Sequence, residues 1–211
     1  NLYFAASRID PHWKPLFLDK ALLNRYTYLI ATDHYAECTP HLVRTFHRWG
    51  ISARPILSEA SGSEGGRSKV EPSRAIKTMK SGREIGQAAS QKIVWIANSA
   101  DLGAFKAEER FWQQVNRYLP LLSFQKVWVI DDFGYNESKH DPYADPEKVR
   151  KRTEALQNIV SSLRGNSPES INLLPFFLRS SYTTRTVVEV FEEYRYRVQE
   201  VLTRLASASE S

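Results

Sequence analysis

Three groups of polar residues follow directly on short apolar runs: Thr32, Asp33, His34 and Tyr35; Asn98 and Ser99; and Asp131 and Asp132. If those runs are parallel strands, the polar groups line the crevice outside their carboxyl ends, where open α/β sheets bind ligands. Paired carboxylates such as Asp131 and Asp132 can hold a cation there, above all a guanidinium, whose fork matches a carboxylate bidentately. Asp33 or Asp131 could equally serve as the nucleophile of a glycosyl-bond enzyme acting on nucleosides or nucleotides. The segment from Asp131 to Asp145 carries five acids against one lysine, so the negative charge is concentrated beside that crevice.

The opposite charge is gathered elsewhere. Between Arg67 and Lys92 stand seven basic residues and two acids, a local excess of +5 that equals the net charge of the whole chain. Arg74, Lys77, Lys80 and Arg83 step by three, which on a helix makes a broad basic stripe suited to phosphates along a nucleic-acid backbone. A noncatalytic RNA-binding module is one function such a stripe could serve.

Other chemistries are poorly supported. No glycine-rich phosphate loop follows the first strand, no Walker-type Gly-Lys-Ser/Thr occurs, and no Gly-x-Ser-x-Gly elbow is found. The histidines are scattered, and His34, His41 and His47 are spaced unsuitably for one metal on one helical face. Cys38, the single cysteine, forbids an intrachain disulfide and fits a reducing, cytoplasmic setting better than a secreted one.

The elements that must position these residues alternate in the manner of an α/β chain. Strands are predicted at 26–32, 51–57, 93–97 and 126–130, with helices at 39–49, 72–90, 104–119, 146–163 and 186–205. Thr39 is expected to cap the first helix with Pro40 at its first position, and Gly50 to end it. Phe105, Phe111, Trp112, Val115 and Leu119 form the expected apolar stripe of the 104–119 helix. In the last helix the stripe is Val187, Phe191, Tyr194, Val198, Val201 and Leu205. Pro175 makes Leu173–Leu178 a poor central strand, and residues 58–69 read as a mobile loop.

With 211 residues, 42% of them hydrophobic, the chain can bury a substantial core. The fold expected is a single three-layer Rossmann-like α/β domain over 8–206 with a mostly parallel sheet, followed by a tail at 207–211. Asn1-Leu2-Tyr3-Phe4 reads like part of a protease recognition site, so residues 1–7 are set apart as a tag remnant. No signal peptide and no apolar run of roughly 18 residues is evident, so no membrane association is expected.

Three segments together resemble the tRNA-dependent cyclodipeptide synthases, and most closely the divergent fungal branch that makes arginine-containing products. They are Tyr28-Leu29-Ile30-Ala31-Thr32, the basic run Arg74 to Arg83, and Leu173-Leu174-Pro175-Phe176-Phe177-Leu178. The alignment sets Ile30 and Thr32 where the family has glycine and its acyl-accepting serine, Leu173 where it has glutamate, and Glu169 where it has tyrosine. The resemblance implies a Rossmann-like transferase whose partners are aminoacyl-tRNAs, arginyl-tRNA among them, working without cofactor or metal. It further implies Thr32 and Asp33 as catalytic residues, and Arg74, Lys77, Lys80 and Arg83 as tRNA-binding ones. Tyr35, Asn98, Ser99, Asp131 and Asp132 would then face the aminoacyl groups.

Overall fold

A computed structural model of the chain describes residues 10–58, 93–133, 145–165, 171–176 and 186–208. The described elements run α1 (Lys14–Leu18), α2 (Lys20–Arg25), β1 (Tyr28–Thr32), α3 (Cys38–Arg48), β2 (Ser52–Ile56), β3 (Ile93–Asn98), α4 (Ser99–Leu102), α5 (Glu109–Tyr118), β4 (Val127–Asp131), α6 (Pro146–Leu163), β5 (Ile171–Pro175) and α7 (Val187–Ser207). The chain is an α/β protein, and every strand pairing among the described residues is parallel. One sheet has the order β1-β3-β2, and β4 pairs with β5 in a second, smaller one.

Side chains alternate across a strand with a period of two, so each strand feeds two opposite faces. Tyr28, Ile30, Val94, Ile96, Trp128, Ile130 and Leu174 join one hydrophobic cluster. Their neighbours Leu29, Ala31, Trp95, Ala97, Val127, Val129 and Leu173 join another. Each helix closes one of these faces through a stripe at helical spacing. Cys38, Leu42 and Phe46 of α3 step by four into the first cluster, which also takes Val198, Val201, Leu202 and Leu205 of α7. The second takes Phe111, Trp112 and Val115 of α5 with Val149, Leu156 and Val160 of α6. Fully buried residues such as Phe46, Phe111 and Ile96 each contribute on the order of 2–3 kcal/mol of apolar burial.

Local signals set several boundaries. Asp145 accepts from the Lys148 amide ahead of Pro146, and α6 covers the predicted 146–163. Thr186 and Glu189 form a reciprocal capping box that starts α7. Gly50 follows α3 at φ +76°, a conformation that costs glycine little.

Three expectations are corrected. Thr39 is not a cap: α3 begins one residue earlier, and Thr39 is buried inside it because its hydroxyl is drawn to Asp101, to which it donates at 2.5 Å. The predicted 104–119 helix begins only at Glu109. Gly103, at φ +62°, ends α4, and the chain stays non-helical until Glu109. Phe105 consequently leaves the core stripe and is 64% exposed. In α7, Phe191 is exposed too, and Leu202 takes its place in the buried stripe. The run containing Pro175 forms a strand, β5, that among the described residues pairs with β4 alone and ends on the proline, in keeping with the expectation that it is not a central strand. The predicted 72–90 helix and nearly all of the 58–69 loop lie outside the described residues. No described helix is long and apolar enough to cross a membrane.

Candidate active site

The crossover from β1 to β2 runs through α3, which packs on the first cluster, whereas that from β3 to β4 runs through α4 and α5 on the second. Crossovers therefore leave β1 and β3 toward opposite faces. Between two such strands their carboxyl ends open a crevice. The register ends on the pair Thr32 and Asn98, so these two residues stand side by side at its floor.

Asn98 is fully buried and organises the chain leaving β1. Its Oδ1 accepts from the His34 amide at 3.2 Å, and its Nδ2 donates to the Tyr35 carbonyl at 3.0 Å and the Thr39 hydroxyl at 3.1 Å. One side chain thus satisfies three groups of the β1–α3 connection, as a buried amide must. The connection so held presents His34 beside Thr32, with the Thr32 Oγ1 hydrogen-bonded to the His34 Nδ1. A hydroxyl bonded to an imidazole nitrogen is the arrangement in which the ring can take the proton as the oxygen attacks.

The second half of the site is ionic. Asp33 Oδ1 accepts from the Lys106 amide at 2.8 Å, and the Lys106 Nζ donates to Asp131 Oδ2 at 2.5 Å. Both side chains of that pair are about one-fifth exposed, at 22% for Lys106 and 18% for Asp131. Asp131 Oδ1 also accepts from the Phe133 amide at 2.8 Å, so both of its oxygens are engaged within the chain. Lys106 lies in the non-helical connection 103–108, which α5 fastens from behind. Trp112 Nε1 donates to the Lys106 carbonyl at 2.8 Å, and Gln114 Nε2 to the Leu102 carbonyl at 2.9 Å.

Phe133 closes this half. Its ring is buried while its backbone takes φ +52°, a left-handed conformation uncommon for a bulky residue. The Asp131 carboxylate on its amide and the Arg152 guanidinium, donating at 2.9 Å to its carbonyl, hold it there.

Of the residues singled out in the sequence, Thr32, Asp33, Asn98 and Asp131 are brought into this connected arrangement. Ser99 is buried at the start of α4, and Asp132 follows Asp131 at the end of β4. Tyr35 stands 71% exposed at the rim. Arg74, Lys77, Lys80 and Arg83 lie outside the described residues. Cys38 is buried among apolar side chains, and burial, with the Asp101 charge behind it, pushes its thiol above the ordinary range. That is the environment of an inert cysteine.

Lys106 is the candidate-site residue that sequence reasoning passes over, whereas His34 is placed at the crevice by the sequence but given no role there. The signal for His34 was its place two residues beyond a strand-end hydroxyl. Lys106 had none, because the helix expected over 104–119 would have turned it elsewhere. A shallow groove of about 520 Å³ beside Trp128, Ile171 and Arg204 opens near the amino ends of β4 and β5 and contains none of these residues. Comparison of the chain with models of protein families, with curated proteins and with solved structures finds no match in any of the three.

Proposed function

We propose that the protein is an aminoacyl-tRNA-using transferase that forms a cyclic dipeptide, with arginine as one of its residues. The observation that carries this reading is the meeting of Thr32, Asp33, Asn98 and Asp131 at the carboxyl ends of parallel strands whose crossovers diverge. A hydroxyl at the end of β1 is what an acyl acceptor requires. The aminoacyl ester of tRNA is already activated, so the chemistry needs no nucleotide triphosphate. Thr32 takes one aminoacyl group and frees its tRNA; the amine of a second aminoacyl-tRNA attacks that ester and returns the Thr32 hydroxyl, and closure of the resulting dipeptidyl-tRNA releases the ring and the second tRNA. Asp131 and Asp132 supply the negative charge that would draw the arginine side chain, and the basic run Arg74 to Arg83 the charge that would draw tRNA.

The deciding experiment incubates the protein with a mixed pool of aminoacyl-tRNAs and weighs the small products. Cyclic dipeptides containing arginine are expected, and their absence overturns the reading. Asp131→Asn with Asp132→Asn is expected to erase the preference for arginyl-tRNA over lysyl-tRNA while leaving tRNA affinity largely intact. Changing Arg74, Lys77, Lys80 and Arg83 together to glutamate is expected to weaken tRNA binding strongly and flatten its salt dependence. An unchanged slope would remove the stripe from the interface.

A further inference from the structure

We infer that His34 is the general base of Thr32, and that the two residues form a catalytic pair accepting acyl groups from activated carboxylic esters. The inference deepens the transferase reading and rests on it for the identity of the natural ester.

A threonine hydroxyl alone is a weak nucleophile, because its proton is not shed near neutral pH. The imidazole nitrogen bonded to it removes that obstacle, provided that Nδ1 is the unprotonated nitrogen and the ring proton sits on Nε2. The placement is built rather than incidental. The His34 amide is tied to Asn98, which is itself fully buried, and Thr32 is tied into the β1–β3 ladder opposite the same residue. His34 is exposed, so an ester can approach the pair from solvent without displacing the core. The flanking Asp33 carboxylate is taken up by the Lys106 amide, which keeps that anion fixed on the connection.

In the step itself Thr32 Oγ bonds to the ester carbonyl carbon while its proton passes to His34 Nδ1. The bond from that carbon to the leaving oxygen then breaks, and the proton on Nδ1 goes to the departing oxygen. The products are an acyl-threonine ester and a free alcohol, with imidazole restored. No oxidant, metal or further reactant is required.

The test uses the whole chain and a probe without tRNA, p-nitrophenyl acetate. Acylation is followed by nitrophenolate release, and the acetylated residue is located by peptide mass mapping. One acetyl group on Thr32 is expected. Thr32→Ser should retain the reaction, and Thr32→Ala should abolish that adduct. His34→Gln should slow it on the order of a hundredfold. Added imidazole should restore part of the rate to His34→Ala, a rescue that a purely structural histidine would not show.

Acetylation of lysines with Thr32 untouched, or a His34→Gln variant acylated at the original rate, overturns the inference. The two readings also fail separately. Cyclic dipeptide formation that survives Thr32→Ala would sink this pair and leave the transferase standing. Clean acylation of Thr32 by the probe, with no product from aminoacyl-tRNA, would do the reverse.

Discussion

The two halves of the crevice use opposite means to hold their polar groups. At the end of β1 the ties are neutral: a buried amide, a hydroxyl, backbone groups and an imidazole. At the end of β4 they are charged, with the Lys106 ammonium between the chain and Asp131. A neutral network satisfied by Asn98 leaves Thr32 and His34 facing outward in a fixed pose. The charged half spends its carboxylate internally, on Lys106 and on the Phe133 amide. Under the proposed transferase reading, the first half would supply the acyl acceptor, and a substrate cation would have to compete with Lys106 for Asp131.

Replacing Asn98 breaks this contrast most severely. Asn98→Leu strands the His34 amide, the Tyr35 carbonyl and the Thr39 hydroxyl together, and a loss of about 2–4 kcal/mol is expected in urea unfolding. Lys106→Met acts on the other half and leaves the Asp131 carboxylate without its cation, at a cost of roughly 1–2 kcal/mol. A double-mutant cycle with Asp131→Asn measures the coupling directly. A coupling near zero would reduce Lys106–Asp131 to the standing of an exposed pair such as Arg150–Glu154.

The β1 half should also be the one that answers to alkaline pH. Burial pushes both the Cys38 thiol and the Tyr28 phenol above their ordinary ranges. In each case the folded chain keeps a proton that the unfolded chain would release. The stability so held is complete below the ordinary thiol and phenol values and is lost as pH rises through the folded ones. Melting temperature is therefore expected to decline above about pH 9, and less steeply in Cys38→Ala. As a direct reading, iodoacetamide should leave Cys38 unmodified in the native protein and label it on unfolding.

The smallest effect is expected from Tyr28→Phe. The Tyr28 hydroxyl is buried with no hydrogen-bond partner among the described residues, so its removal should be neutral or stabilising by up to about 1 kcal/mol in the same urea titration. A clear loss would reveal a partner for the hydroxyl and make the β1 half more polar than described.

Where boundaries depend on neighbours in sequence, the chain was readable in advance. Pro146 behind Asp145 marked α6, continuous runs of β-branched and aromatic residues marked β1, β3 and β4, and Gly50 marked the end of α3. The segment 104–108 was not readable, because Ala-Phe-Lys-Ala-Glu suits a helix well. What decides against it is tertiary: the hold of Trp112 and Gln114 on the connection, and of Asp33 on the Lys106 amide. The same contacts place Lys106 in the site, so the error in secondary structure and the missed residue have one cause. Thr39 failed as a cap for a related reason, since the helix already begins at Cys38 and sets Thr39 inside its first turn, where the hydroxyl donates to Asp101 and accepts from Asn98. The crevice itself was legible, because the strand-end rule depends on topology rather than on side-chain detail.

Phe133 sets two demands that no natural residue other than itself reconciles well. Its torsion favours glycine, whereas the space around its ring calls for a large aromatic side chain. Glycine would relax the backbone and open a void, β-branched residues would aggravate the torsion, and asparagine would suit the turn but bury an amide in an apolar niche. The position is caught between two structural demands that pull in opposite directions, and a saturation scan of the chain should find it intolerant of small and branched substitutes alike.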